Sequence, residues 1–289
     1  YTITMEGDSG RIEFTTVPIG KPEDEGVHMH FDGSSINGVA ADIVFDTGAG
    51  VNVISTSIVD KYHLIPVDAE ATVSGAKLRN GTLAIARKLE LGNITVTDVP
   101  FYVMDITADN AKADQYMQTM KIIVGSDLML QLKDVTIDFE NSCMLVPSVA
   151  PGKTVAAPNL CFSAGMNLLA KGSINGNEML MNVDTGDSSY GSICGDFYKM
   201  NKKFIKSHGS KAKLCKAGIG GVQISNGFKV KDMPLDLGGN TVTMPTFNVM
   251  ESAEGIGGHE CNLGLKSLML YGAVRFNLVD FVLTTTPLK

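Results

Sequence analysis

Short runs of β-branched and aromatic residues alternate along this chain with polar, glycine-containing turns, a period-two pattern that predicts strands over helices. Residues 11–19 and 27–31 read as strands, and 21–26 is a charged break between them, with Glu23, Asp24 and Glu25 as a solvated turn. Strands are also predicted at 135–139, 143–147, 273–279 and 281–285. Helical composition is confined to short stretches: 55–62, opened by Ser55, Thr56 and Ser57 as candidate caps, then 111–120, 126–132, 192–206 and 265–271. Turns containing glycine at 72–76 and 217–221 suit hairpin tips, and a passive connection explains them equally well. The stretch 148–158, rich in Ala, Pro and small residues, reads as a linker. The expectation is an all-β fold with short helices, divided into domains 1–148 and 159–289 by a linker at 149–158.

These elements occur twice in one order. The apolar strand Ile43-Val44-Phe45 ends in Asp46-Thr47-Gly48-Ala49, and Met181-Asn182-Val183 ends in Asp184-Thr185-Gly186-Asp187, 138 residues later. Ser35-Ile36-Asn37-Gly38 and Ser173-Ile174-Asn175-Gly176 precede them at equal distances. Downstream, Leu89-Glu90-Leu91-Gly92 is answered by Leu235-Asp236-Leu237-Gly238, and Ile123-Val124-Gly125 by Asn262-Leu263-Gly264. A lone Asp-Thr-Gly arises by chance in about one chain of this size in fifteen. Two in matching register, with small compensating insertions and deletions, predict a tandem duplication.

Composition narrows the chemistry. With 44% hydrophobic and 19% charged residues in 289, the chain can bury one or two ordinary cores. A net charge of −7 argues against nucleic acid as partner, and no apolar run is long enough to span a bilayer. The missing initiator Met and the general look of the chain suggest an exported bacterial protein. Cys143, Cys161, Cys194, Cys215 and Cys261 show no metal-binding spacing and read mostly as small core residues, with one disulfide left open. His28 and His30 share a strand face that could present a metal, but no third ligand is in view, so no metal or other cofactor is expected. The seven lysines between Lys199 and Lys216 read as a solvated face.

Two strand-ending aspartates from related lobes would face each other across one cleft. Paired carboxylates cannot both ionise cheaply, so over some pH range the pair holds one proton; the ionised member can then deprotonate a water while the other protonates a carbonyl oxygen. The glycine two residues on permits the tight turn, and the intervening threonine can lock the geometry.

Carried by Asp46-Thr47-Gly48-Ala49, Asp184-Thr185-Gly186 and Ile123-Val124-Gly125, the chain resembles the aspartic peptidases of the pepsin and retropepsin clan over nearly its whole length. The short copies and the Asp-Thr-Gly-Ala form look retropepsin-like. The resemblance implies a bilobal acid-protease fold of two β-barrel lobes related by a pseudo-twofold axis. It implies Asp46 and Asp184 as catalytic residues, supported by Thr47, Gly48, Ala49, Thr185, Gly186 and Asp187. It also implies flap tips at Ser74, Gly75 and Ala76 and at Gly218, Ile219 and Gly220, closing over an extended peptide held between the lobes of a monomer. Three positions depart from the family pattern. Asp187 adds a third carboxylate beside Asp184, Asn262 replaces an apolar residue, and Gly50 lacks a side chain where retroviral enzymes carry a substrate-binding Asp. The alternative to an endopeptidase is an inactive peptide-binding or structural protein of the same fold.

Overall fold

In the computed structural model, residues 1–20, 26–74, 78–108, 110–149, 156–219, 221–251 and 260–289 are described. The turn Glu23-Asp24-Glu25 and most of the linker 149–158 lie outside them.

The turns that shape the two halves are built alike. Asn37 and Gly38 have φ of 50° and 79°, and Asn175 and Gly176 have 48° and 75°. Consecutive left-handed residues make the tight turn whose twist matches flanking strands, and Asn-Gly adopts it at little steric cost. The second turn feeds the strand Asn177–Asp184 directly, and the first feeds the short strand Val39–Ala40 that precedes Ile43–Phe45. In the first lobe the neighbouring strands run Gly26–Phe31, Ile43–Phe45, Ile122–Val124, Val53–Ser55, Ile94–Met104, Leu78–Leu91. In the second, the same order is made by Leu168–Ile174, Asn177–Asp184, Cys261–Gly264, Gly191–Ile193, Asn240–Met250 and Gly221–Leu237. Both lobes pair the strand before the aspartate in parallel with the apolar-Gly strand. The protein is thus mostly β and bilobal, with short helices.

One sheet joins the halves. Tyr271–Asn277 pairs antiparallel with Asp134–Asp138, which pairs with Cys143–Pro147, and that strand with Ser9–Ile19. Arg275 fastens the seam, its Nε and a terminal nitrogen donating to the buried Asp134 carboxylate at 2.9 and 2.7 Å. The core beneath is contiguous across both lobes and includes Phe45, Phe101, Phe247, Phe276 and Tyr271, each at most 1% exposed. Burial of each such ring is worth about 2–3 kcal/mol before entropy is counted.

Several expected elements are redrawn. The stretch 55–62 is not a capped helix: Ser55 closes the strand Val53–Ser55, its hydroxyl lies 2.8 Å from that of Ser57, and only Val59–Tyr62 winds, as a 3-10 turn without a side-chain cap. Within 192–206, Gly191–Ile193 is a strand, and two helices, Phe197–Met200 and Lys202–His208, follow. The helix expected at 111–120 ends at Met117, and that at 265–271 at Leu268. Ser126–Leu132 is helical as expected. None of the five cysteines is in a disulfide, and Cys215 is exposed rather than in the core.

Candidate active site

Asp46 follows Ile43–Phe45 and Asp184 ends Asn177–Asp184, so burial of Ile43, Val44 and Phe45, and of Met181 and Val183, fixes where each carboxylate emerges. Each carboxylate is then held by its own turn. Asp46 Oδ1 accepts from the backbone N–H of Gly48 and Ala49 at 2.8 and 3.1 Å, and Asp184 Oδ1 from Gly186 and Asp187, both at 3.0 Å.

The threonines cross-link the turns. Thr47 N–H donates to Thr185 Oγ1 at 3.0 Å and Thr185 N–H to Thr47 Oγ1 at 3.1 Å; the hydroxyls donate onward to the Val183 and Phe45 carbonyls at 2.6 and 2.8 Å. Both side chains are fully buried, so all four bonds form away from water. The glycines face the opposite lobe: a Cβ on Gly48 would strike the Asp184 carboxylate, and one on Gly186 the Asp46 carboxylate. Only a residue without a side chain admits this approach.

The consequence is a pair of carboxyls brought together, each against the other lobe's glycine. Asp46 titrates well above the ordinary carboxyl range, first because protein surrounds it and then because Asp184 is adjacent. Asp184 is raised too, by burial and then by the charge of Asp187, against an amide donor from Asn262 and the more distant charge of Lys216. The second lobe is therefore electrically different from the first. Asn262 Nδ2 donates to Asp184 Oδ2 at 2.9 Å and to Asp187 Oδ2 at 2.8 Å, while its Oδ1 accepts from Asn182 Nδ2 at 2.6 Å. Asp187 Oδ1 is further held by the N–H and hydroxyl of Ser189 at 3.0 and 2.6 Å. The third carboxylate thus sits in a network of donors, and Asn262 ties it to Asp184.

The sequence-derived flap residues divide. Ser74 ends the strand Ile65–Ser74, whereas Gly75, Ala76 and Gly220 lie outside the described residues. Gly218 closes Gly209–Gly218 opposite Gly221, and Ile219 with Val222 packs against a first-lobe cluster holding Val44, Val53 and Ile123. The second hairpin therefore reaches across to the other lobe. Gly50 has its own steric reason, since a Cβ there would meet the Gly165 carbonyl oxygen. Neighbouring Asn167 donates to the Gly48 carbonyl, and the Ser126 hydroxyl to that of Met166 at 2.7 Å. His28 is buried beside Thr119, and His30 Nδ1 lies 2.6 Å from Asp42 Oδ1. Among the described residues no group of three His, Cys, Asp or Glu side chains forms that could hold a metal.

Sequence reasoning missed Asn52, Asn167 and Asn182. Asn52 is fully buried, accepting from Gly125 N–H at 3.0 Å and donating to the Pro100 carbonyl at 3.1 Å, so it braces the apolar-Gly turn below Asp46. Asn182 carried a signal: it stands two residues before its aspartate, where the first copy has Val44.

Residues 34–128, about a third of the chain, match the model of a family described as aspartyl protease. No curated protein matches by sequence. Among solved structures, conglutin gamma, a basic 7S globulin from lupine seeds, is similar at a TM-score of 0.56 and 8% identity, over 97% of this chain and 95% of that one. Basic 7S globulin from soybean is similar at 0.54 and 9%, over 95% of each. At such identities the likeness is one of fold.

Proposed function

With its first lobe matched to the aspartyl protease family and its whole length folded into two lobes around one carboxyl pair, the chain is, we propose, an endopeptidase acting on extended peptides. The observation that carries this reading is the reciprocal packing of the turns, in which each Asp-Thr-Gly glycine makes room for the other lobe's aspartate. A tandem duplication accounts for that symmetry within one chain.

Asp184 takes the ionised role, because Asn262 donates to its Oδ2 and Lys216 favours its charge. Asp46, held by the backbone N–H groups of Gly48 and Ala49 without a matching amide on its second oxygen among the described residues, keeps the shared proton. Asp184 then removes a proton from a water as it attacks the scissile carbonyl, and Asp46 gives its proton to the carbonyl oxygen, forming a tetrahedral gem-diol. Its collapse returns one proton to the leaving amine, with no covalent enzyme intermediate. Because both carboxyls are raised, the acid limb of activity should lie above the titration range of an ordinary carboxyl.

A second reading, a peptide-binding protein that does not cut, is favoured by the likeness to two proteins named as globulins and by the extra carboxylate of Asp187. Incubation with a mixed peptide library between pH 3 and pH 7, read by mass spectrometry, separates the two. Cleavage by the wild type that falls at least about 10³-fold in Asp184→Asn supports the endopeptidase. Folded wild type that binds peptides and leaves every one intact supports the second reading.

A further inference from the structure

Beside Asp184 a row of polar residues crosses four adjacent strands. Asn182, Asn262, Ser192 and Asn248 are successive register partners, and partners in register share a face of the sheet. The corresponding places in the first lobe hold Val44, Ile123, Val53 and Tyr102. Three residues after the aspartate, Ala49 is matched by Asp187. One lobe thus lines its side of the dyad with apolar groups and the other with hydrogen-bonding ones.

The polar row is not saturated. Asn182 Oδ1 and Ser192 Oγ have no partner, although these residues are 4% and 2% exposed. A buried polar atom left unpaired costs more than a made hydrogen bond returns, so such a pair is retained at a cost to stability. Both hydrogens of the Asn262 amide are committed to carboxylates, and Asp187 retains spare lone pairs. The unused capacity is mostly one of acceptors, the Asn182 and Asp187 oxygens, beside the Ser192 hydroxyl, which can accept or donate. It also borders the dyad: Asn182 precedes Asp184 by two in one strand and shares its face, while Asn262, Asp187 and Asn248 are only half-buried and form the reachable side of the row.

We infer that this row is a specificity pocket for a substrate side chain bearing N–H groups, an amide or a cation, on one side of the scissile bond. The inference rests on the peptide-cleaving reading of the dyad and is tested without requiring turnover. Lys216, whose charge also reaches Asp184, stands on the same lobe, so lysine and glutamine probes distinguish a pocket governed by Asp187 from one governed by the asparagines.

The experiment is calorimetric binding of peptides whose scissile amide is reduced, carrying Gln, Lys or Leu on either side of that bond. The variants are Asn182→Val/Asn262→Ile, which copies the first lobe, and the milder Ser192→Val, each checked for folding by its thermal melt. Expected for the wild type is at least about tenfold tighter binding of Gln or Lys than of Leu at one of the two positions, with the order reversed in the double variant. Leu bound as well as Gln and Lys at both positions, a preference unchanged in both folded variants, or no binding of any peptide would overturn the pocket. Cleavage of the matching unreduced peptides is scored separately. A polar preference without cleavage keeps the pocket and refutes the peptidase; cleavage with apolar preference on both sides does the opposite.

Discussion

At the scale of single residues, the polarity of the second aspartate's surroundings is set by one amide. Asn262 replaces the position held by Ile123 in the first lobe and donates to Asp184 and Asp187 together. Donation to a carboxylate favours its ionised form, so on the peptidase reading Asn262→Leu should move the acid limb of kcat/KM upward by about one pH unit, with a smaller change at the plateau. A profile that keeps its shape would remove Asn262 from the titration. The dyad also burdens stability. The folded pKa of Asp46 lies above its unfolded value, so its contribution is present at low pH and lost as pH rises through the folded value. Asp46→Asn should therefore melt higher than wild type at pH 7, and the gap should close towards pH 3. His28 works in the other direction. Burial first, then His30, lower it to about 4, against the pull of Asp187. Its stabilisation is present above the unfolded value near 6.5 and lost as pH falls towards 4, by about 3 kcal/mol. His28→Gln should flatten the loss of stability between those pH values, as read by denaturant unfolding. The two triplets were legible because Asp-Thr-Gly needs these residue types at this spacing. Asn182 and Asn262 as a network were not, because their contact joins strands about eighty residues apart.

The elements explain why the dyad keeps its geometry. Thr47 Oγ1 donates to the Val183 carbonyl and accepts from Thr185 N–H, so Thr47→Val orphans two buried backbone groups at once. At about 1–3 kcal/mol for each, the expected loss is about 3 kcal/mol, and Thr47→Ser should restore most of it; chemical denaturation measures both. The Asn-Gly segments stood out in the sequence only as a matching pair; the structure shows that each is a left-handed turn, a conformation few other residue types adopt cheaply. The capped helix expected from Ser55, Thr56 and Ser57 failed for a non-local reason: Ile54 and Ser55 are drawn into parallel pairing with Val103 and Met104, which local propensity cannot see. Ser126–Leu132, by contrast, follows directly from Gly125 with Leu128, Met129 and Leu132 buried on one face, and its limits came out as read.

For the whole molecule, the decisive feature is the sheet shared by the halves. Repeated motifs suggested two lobes, but nothing in 273–279 reveals that it pairs with Asp134–Asp138, because alternating strands do not name their partners. The seam is held by Arg275 on a buried Asp134. Removing the half-exposed guanidinium in Arg275→Ala strands that carboxylate and should cost about 2–3 kcal/mol, while Arg275→Ala/Asp134→Asn should recover part of it. The continuous ladder also settles what kind of motion can admit a bulky chain. Swinging the halves apart would tear backbone pairings at the seam, whereas lifting the hairpin that carries Ile219 and Val222 would, among the described residues, part side-chain packing. On the peptide-cleaving reading the molecule would work less like a hinged shell than like a vice with a fixed bed and a moving jaw, and the rate at which long peptides are captured should follow the jaw.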